Sequence, residues 1–152
     1  ERRMPELELC VGVGSGCMDI SKLSVSYHRA KVAAHMAIVQ KKRVIKFDEC
    51  GLFRLLYMVE DKGILKELEA ECLAALEEHD RRYHANYVET LHSYLKHNGS
   101  IQAVASEMYT HRNTVLYRIG NIKKILGNEL KTPEERLPYH IAFYIREMQG
   151  WI

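Results

Sequence analysis

The sequence lacks any long apolar run. Its most hydrophobic stretches, around Val32–Val39 and Ile141–Ile145, are short and are broken or flanked by histidine and charge. Both fall far below the roughly 20 residues that a bilayer span requires, so no transmembrane helix is expected. An apolar leader is missing too. The opening Glu1-Arg2-Arg3-Met4-Pro5 has no signal-peptide core and no initiating Met, so the chain reads as a fragment or processed product of a cytoplasmic protein. Cysteine is sparse and scattered: Cys10, Cys17, Cys50 and Cys72 lie 7, 33 and 22 positions apart, without a Cys-x-x-Cys or a zinc-finger His pair. Reduced and mostly buried thiols are expected, not a disulfide frame or a metal site. An excess of charge is also absent. Twenty-two Lys+Arg against twenty Asp+Glu give +2, which excludes a uniformly basic nucleic-acid coat and makes any such surface local. What remains is the profile of a globular protein, with 152 residues, 47% hydrophobic and 28% charged. That length supports one sizeable core or two small ones without staples.

The first sixty residues alternate strand and helix signals. Leu7–Val13 is apolar and runs into Gly12, Gly14 and Gly16, which suits a short buried strand ending in a tight loop. A helix capped by Asp19 or Ser21 should follow, with Leu23, Tyr27, Ala30, Ala34 and Ala37 forming its apolar stripe to about Gln40. Arg43–Phe47 reads as a second strand, and Leu52–Met58 as a buried helix after Gly51. The Gly12–Gly16 run could be taken for a phosphate loop. Its third glycine comes one position early for G-x-G-x-x-G and no Lys-Ser/Thr follows, so a structural turn is the better reading.

Charge then divides the chain. Asp61–Asp80 carries seven acids against two lysines, a net of −5, on an amphipathic helix built on Ile64, Leu65, Leu68, Cys72, Leu73, Ala75 and Leu76. The polar stretch His79–His84 lacks periodicity and is read as a hinge. Beyond it, Lys96–Gly127 holds five cations and one acid, Glu107, a net of +4. Asn86 with Glu89 matches a capping box, Asn98-Gly99 a helix stop, and Ser100 and Thr110 the caps of two further helices. Thr132-Pro133-Glu134-Glu135 opens a last helix, which Pro138 should kink before it continues to Gly150.

A two-turn helix from Ile101, a short link at Tyr109-Thr110 and a longer basic helix over about 111–126 have the layout of a helix-turn-helix. At 100° per residue, Val115, Ile119, Ile122 and Leu126 share one face, and Asn113, Tyr117, Gly120 and Lys124 oppose it, with Leu116 and Thr114 on the shoulders. Such a helix fits the major groove. Arg pairs with guanine and Asn with adenine through two hydrogen bonds each, which nominates Arg112 and Asn113 for base edges. Thr114 or Leu116 suits a thymine methyl group, and Tyr117, Arg118, Lys123, Lys124, Ser100 and Gln102 suit phosphates.

The run YVETLHSYLKHNGSIQAVASEMYTHRNTVLYRIGNIKKILG, followed by PEERL, resembles the C-terminal helix-turn-helix of PucR/CdaR-type bacterial transcription regulators. The ETL-x-x-YL opening, the HNGS corner, the HRNTVLYRI stretch, the ILG ending and the PEERL start all occur in the family's order. The resemblance implies a sequence-specific and usually dimeric reader of double-stranded DNA, at the end of a longer regulator whose N-terminal parts sense a small-molecule effector. Leu116 stands where relatives often have a polar or basic residue. Upstream, VGVGSGCMDISKLSVSYHRAKVAAHMAIV and RVIKFDECGLFRLL resemble the later part of a degenerate GGDEF-like domain. The fold class implied is mainly α: an α/β remnant over 1–60, an acidic connecting helix and hinge over 61–84, and an all-α DNA-binding domain over 85–152.

No GGDEF or GGEEF string and no nucleophile elbow occur, so neither enzyme activity nor a cofactor is expected. The pairs His79/His84 and His92/His97 lie five apart, off the i, i+4 spacing of two helical metal ligands. The rival reading is a small-molecule or nucleotide-sensing module that acts through protein–protein contacts, with the Gly-rich loop lining its pocket. A third reading, compatible with the DNA-binding one, takes the acidic Ile64–Leu76 helix as a dimerisation or protein-docking surface.

Overall fold

The computed structural model describes residues 9–148, and the chain divides into two compact units between Glu60 and Asp61. The opening of the strand expected from Leu7 and the helix end expected at Gly150 lie outside the described residues. Helix predominates in both units, and the described strands form one small sheet.

In the first unit, β1 (Val11–Val13) and β2 (Val44–Lys46) pair in parallel, with Val11 opposite Val44 and Val13 opposite Lys46. Helix α1 (Leu23–Val39) makes the crossover, and a turn of 3-10 helix at Phe47–Cys50 leads into α2 (Phe53–Met58). Glycine is required in β1 by close approach. A Cβ at Gly12 would collide with the backbone of Ala30 and Ala34, and one at Gly14 with the backbone of Ser26. The helix therefore lies directly on the strand.

Two expectations change here. The strand is not buried: Val11, Val13 and Val44 are exposed, because α1 covers a single face of the sheet and Ile45 alone of β2 turns into it. The stripe on α1 is also displaced. Val32, Ala33, Met36 and Ala37 are buried whereas Leu23 and Tyr27 are exposed. A seventeen-residue helix is about 25 Å long and a three-residue strand about 10 Å, so the first turns of α1 overhang the sheet.

Among the described residues the second unit holds five helices: α3 (Lys62–Tyr83), α4 (Tyr87–Lys96), α5 (Ile101–Glu107), α6 (Arg112–Leu126) and α7 (Pro133–Glu147). One core joins them, built from Cys72, Leu73 and Leu76 of α3, Leu91 and Tyr94 of α4, Val104 of α5, Val115, Ile119 and Ile122 of α6, and Phe143 of α7. The acidic helix is thus part of this core, not a connector. The hinge expected at His79–His84 is helical to Tyr83, because its residues are tied down. The Asp80 carboxylate accepts the backbone N–H groups of Tyr87 at 2.6 Å and Val88 at 2.9 Å, capping α4 from the neighbouring helix. Asn86, the expected cap, sits in the left-handed region and makes no side-chain cap bond.

Helix α7 starts as its signals require, with Thr132 Oγ1 accepting from the Glu135 N–H at 3.2 Å. Pro138 does not interrupt it. The bond it forfeits would end on the carbonyl of exposed Glu134, where water can substitute. Arg146 then pins α7 to α3, donating to buried Glu69 at 2.7 Å and to Glu77 at 2.6 Å.

If α3 is integral to this unit, Leu73→Ala should lower the unfolding free energy by about 2–5 kcal/mol and Asp80→Ala by about 0.5–2 kcal/mol, both read from urea melts of the full chain. A freely hinged connector would leave both midpoints unchanged.

Candidate nucleic-acid interface

Helix α5 begins at Ser100, whose Oγ accepts from the Ala103 N–H at 3.4 Å. It lasts two turns and closes with the Thr110 N–H returning to the Ala105 carbonyl at 3.0 Å. Between α5 and α6, Tyr109 occupies the left-handed region at φ 49° and is 97% exposed. For a non-glycine residue that conformation costs roughly 1–2 kcal/mol. The cap of α6 is His111, not Thr110. Its backbone is extended, and its Nδ1 accepts from the Asn113 N–H at 3.2 Å, so α6 begins at Arg112.

Val115, Ile119 and Ile122 are buried, and Leu126 packs half-buried against the same core. On the opposite side Arg112, Asn113, Leu116, Tyr117 and Lys124 are exposed, and Thr114, Arg118 and Lys123 are half-buried. Lys123 lies 3.7 Å from Glu129, so part of its charge is already answered. Ser100 and Gln102 are exposed at the start of α5. The ten residues nominated from the sequence therefore all reach the surface of α5, α6 or the cap before α5.

Sequence reasoning missed three neighbours. Ser106, Tyr109 and His111 join Gln102 and Arg112 in lining a shallow groove of about 690 Å³ along the turn. Their signal was weak, since a turn tyrosine and a capping histidine have no distinctive spacing. Gly120 adds to this face. A Cβ there would meet nothing, so internal packing does not call for glycine, although a mid-helix glycine costs about 1 kcal/mol relative to Ala.

Two polar clamps set the pitch of the helix pair. The Asn121 amide donates to the Tyr87 hydroxyl at 2.9 Å, holding α6 to α4. Glu107, at the end of α5, receives the Lys96 ammonium and the Ser93 hydroxyl of α4, with His97 Nε2 at 3.1 Å. The Lys96 hydrogen bond first, then that of Ser93, pulls the Glu107 carboxyl down to about 2. The single acid of the basic segment is thereby engaged on α4.

Residues 87–145 match the family described as the PucR C-terminal helix-turn-helix domain. Over 93% of its length the chain is 25% identical to the DNA-binding transcriptional activator AdeR of Bacillus subtilis (strain 168), covering 34% of that protein. Over 79% it is 28% identical to the proline-responsive transcriptional activator PutR of the same organism, covering 30%. Over 81% it is 29% identical to the purine catabolism regulatory protein of the same organism, covering 21%. The chain thus spans about a third or less of the length of these curated relatives.

Glu107 has its usual value, near 4.5, when unfolded and about 2 when folded. The depressed carboxyl supports the fold above pH 4.5, and that support drains away as pH falls toward 2. Thermal melts of Glu107→Gln should lose this part of the acid slope while wild type keeps it. Identical slopes would show that the clamp is not formed in solution.

Proposed function

We propose that this chain, in which residues 87–145 are a PucR-type C-terminal helix-turn-helix domain, is the DNA-reading end of a transcriptional regulator. The observation that carries the reading is the face of α6 turned away from Val115, Ile119 and Ile122. Asn113 and Tyr117 are exposed there, and acid is absent from α6 itself. In this reading α6 enters the major groove with its first turn at the bases. Arg112 and Asn113 contact base edges, Thr114 and Leu116 meet apolar base surface, and Tyr117, Arg118, Lys123, Lys124, Ser100 and Gln102 hold the phosphates. Gly120 lets the duplex approach the α6 backbone, and Tyr109 extends the contact along the turn.

The names of the Bacillus subtilis relatives, two of them transcriptional activators, support regulation of transcription over an enzymatic role. A homodimer would place two reading heads about one helical turn of DNA apart. Effector sensing would then belong to other parts of a longer protein, with the whole acting in the cytoplasm. The working division is 1–60 as a GGDEF-like remnant and 61–152 as the DNA-binding unit, with α3 supporting the latter.

Fluorescence anisotropy with duplexes selected from a random pool should show binding that weakens steeply with salt. Arg112→Ala and Asn113→Ala should each remove about 1–3 kcal/mol of base discrimination, and Lys124→Ala should weaken all sequences alike and reduce the salt slope by about 1. Gly120→Ala should raise the melting temperature and yet reduce affinity for DNA. Absence of any salt-sensitive duplex binding, or full site preference in the Arg112 and Asn113 variants, would refute the proposal.

A further inference from the structure

In the first unit, a pocket of about 430 Å³ lies between the loop after β1 and the start of α1, lined in part by Ser15, Cys17, Lys22, Ser26 and Arg29. Two cations and two hydroxyl residues line it, and among the described lining residues none carries a carboxylate. Arg29 is held in place from two sides. Its Nη1 donates to Ser15 Oγ at 2.8 Å, and its guanidinium lies over the Phe47 ring at 5.2 Å. Ser26 Oγ donates to the Ser15 carbonyl at 2.6 Å, which fixes the loop. Among the described residues neither Lys22 nor Arg29 is in an ion pair. Asp19, the nearest acid in the sequence, is engaged on the Ser21 N–H at 2.9 Å.

We propose that this pocket binds a small ligand through an oxyanion, a phosphate or a carboxylate, held between Lys22 and Arg29. Two cations lining one cavity, one of them anchored, repel each other, and an anion seated between them reverses the sign of that energy. Donors remain for such a ligand. Arg29 has further guanidinium N–H groups beyond the one given to Ser15, and the Ser15 hydroxyl, which accepts from Arg29, retains its own hydrogen to donate. The volume lies in the range of small-molecule sites, so the ligand is larger than a bare anion. The inference concerns the first unit alone and stands whether or not the second unit reads DNA.

Cys17 supplies a reporter. It is exposed and lines the pocket, whereas Cys50 and Cys72 are buried and burial pushes both thiols up. Alkylation of the full chain by neutral iodoacetamide, quantified by peptide mass spectrometry, reads Cys17 and Cys10 separately. Inorganic phosphate or acetate, at constant pH and ionic strength, should slow Cys17 by about threefold or more at millimolar concentration and leave Cys10 unchanged. Which of the two anions protects assigns the ligand chemistry. Lys22→Gln, whose side chain makes no hydrogen bond or ion pair among the described residues, should abolish protection without lowering the melting temperature. The proposal is overturned if neither anion slows Cys17 relative to chloride, or if protection survives in Lys22→Gln combined with Arg29→Gln.

Discussion

The burial of one narrow stripe on α6 governs the second unit. Fully burying a Val or Ile side chain contributes roughly 1.5–3 kcal/mol, so Val115, Ile119 and Ile122 together outweigh the costs that their helix carries elsewhere. Those costs are real: a glycine in mid-helix and a left-handed tyrosine just before its cap. The stripe is only three buried side chains on a helix of about four turns, which leaves the opposite half of the cylinder to solvent. A fold that rotated α6 by half a turn would bury Asn113, Tyr117 and Lys124 and expose the isoleucines.

What holds the stripe is assembled from every helix of the unit, and α3 is the element that makes it whole. Leu73 and Leu76 are fully buried in the same core as Val115 and Ile122, and Asp80 caps α4, against which both α5 and α6 are clamped. Acid on α3 is put to internal use as well, with Glu69 and Glu77 gripping Arg146 of α7. Breaking that pair from one side would strand a buried charge, a costlier event than forming the pair is favourable. The negative helix is therefore a structural wall of the second unit, and its charge is partly neutralised where it meets Arg146 of α7.

The first unit obeys a different constraint. Its two strands are so short that one helix suffices to cover them on one side, and Gly12 and Gly14 bring that helix into backbone contact with β1 and the loop beyond it. Valines on the uncovered face stay exposed, and the loop after β1 bends over the start of α1 to enclose the pocket that Lys22 and Arg29 line. The glycines thus serve packing first, and the hydroxyls and cations beside them line the pocket.

Periodicity and cap chemistry made the local elements legible: the seam of α6, the short α5 behind Ser100, the Thr132-Pro133 start of α7 and the strand–helix–strand order of the first unit all follow from interactions within a few residues of one another. The exposed face of α6 was legible for the same reason, since 3.6-residue geometry separates it from the seam without reference to any partner. Tertiary structure decided the rest, because the deciding partners are remote in sequence. Asp80 displaced Asn86 as the cap of α4, and the core drew in the acidic helix and removed the supposed hinge. Pro138 was accommodated in an unbroken α7, and the length mismatch between α1 and its strands left Leu23 and Tyr27 exposed. A sequence pattern specifies which face of a helix seeks cover, but which groups arrive to cover or cap it depends on chain segments brought together only by folding.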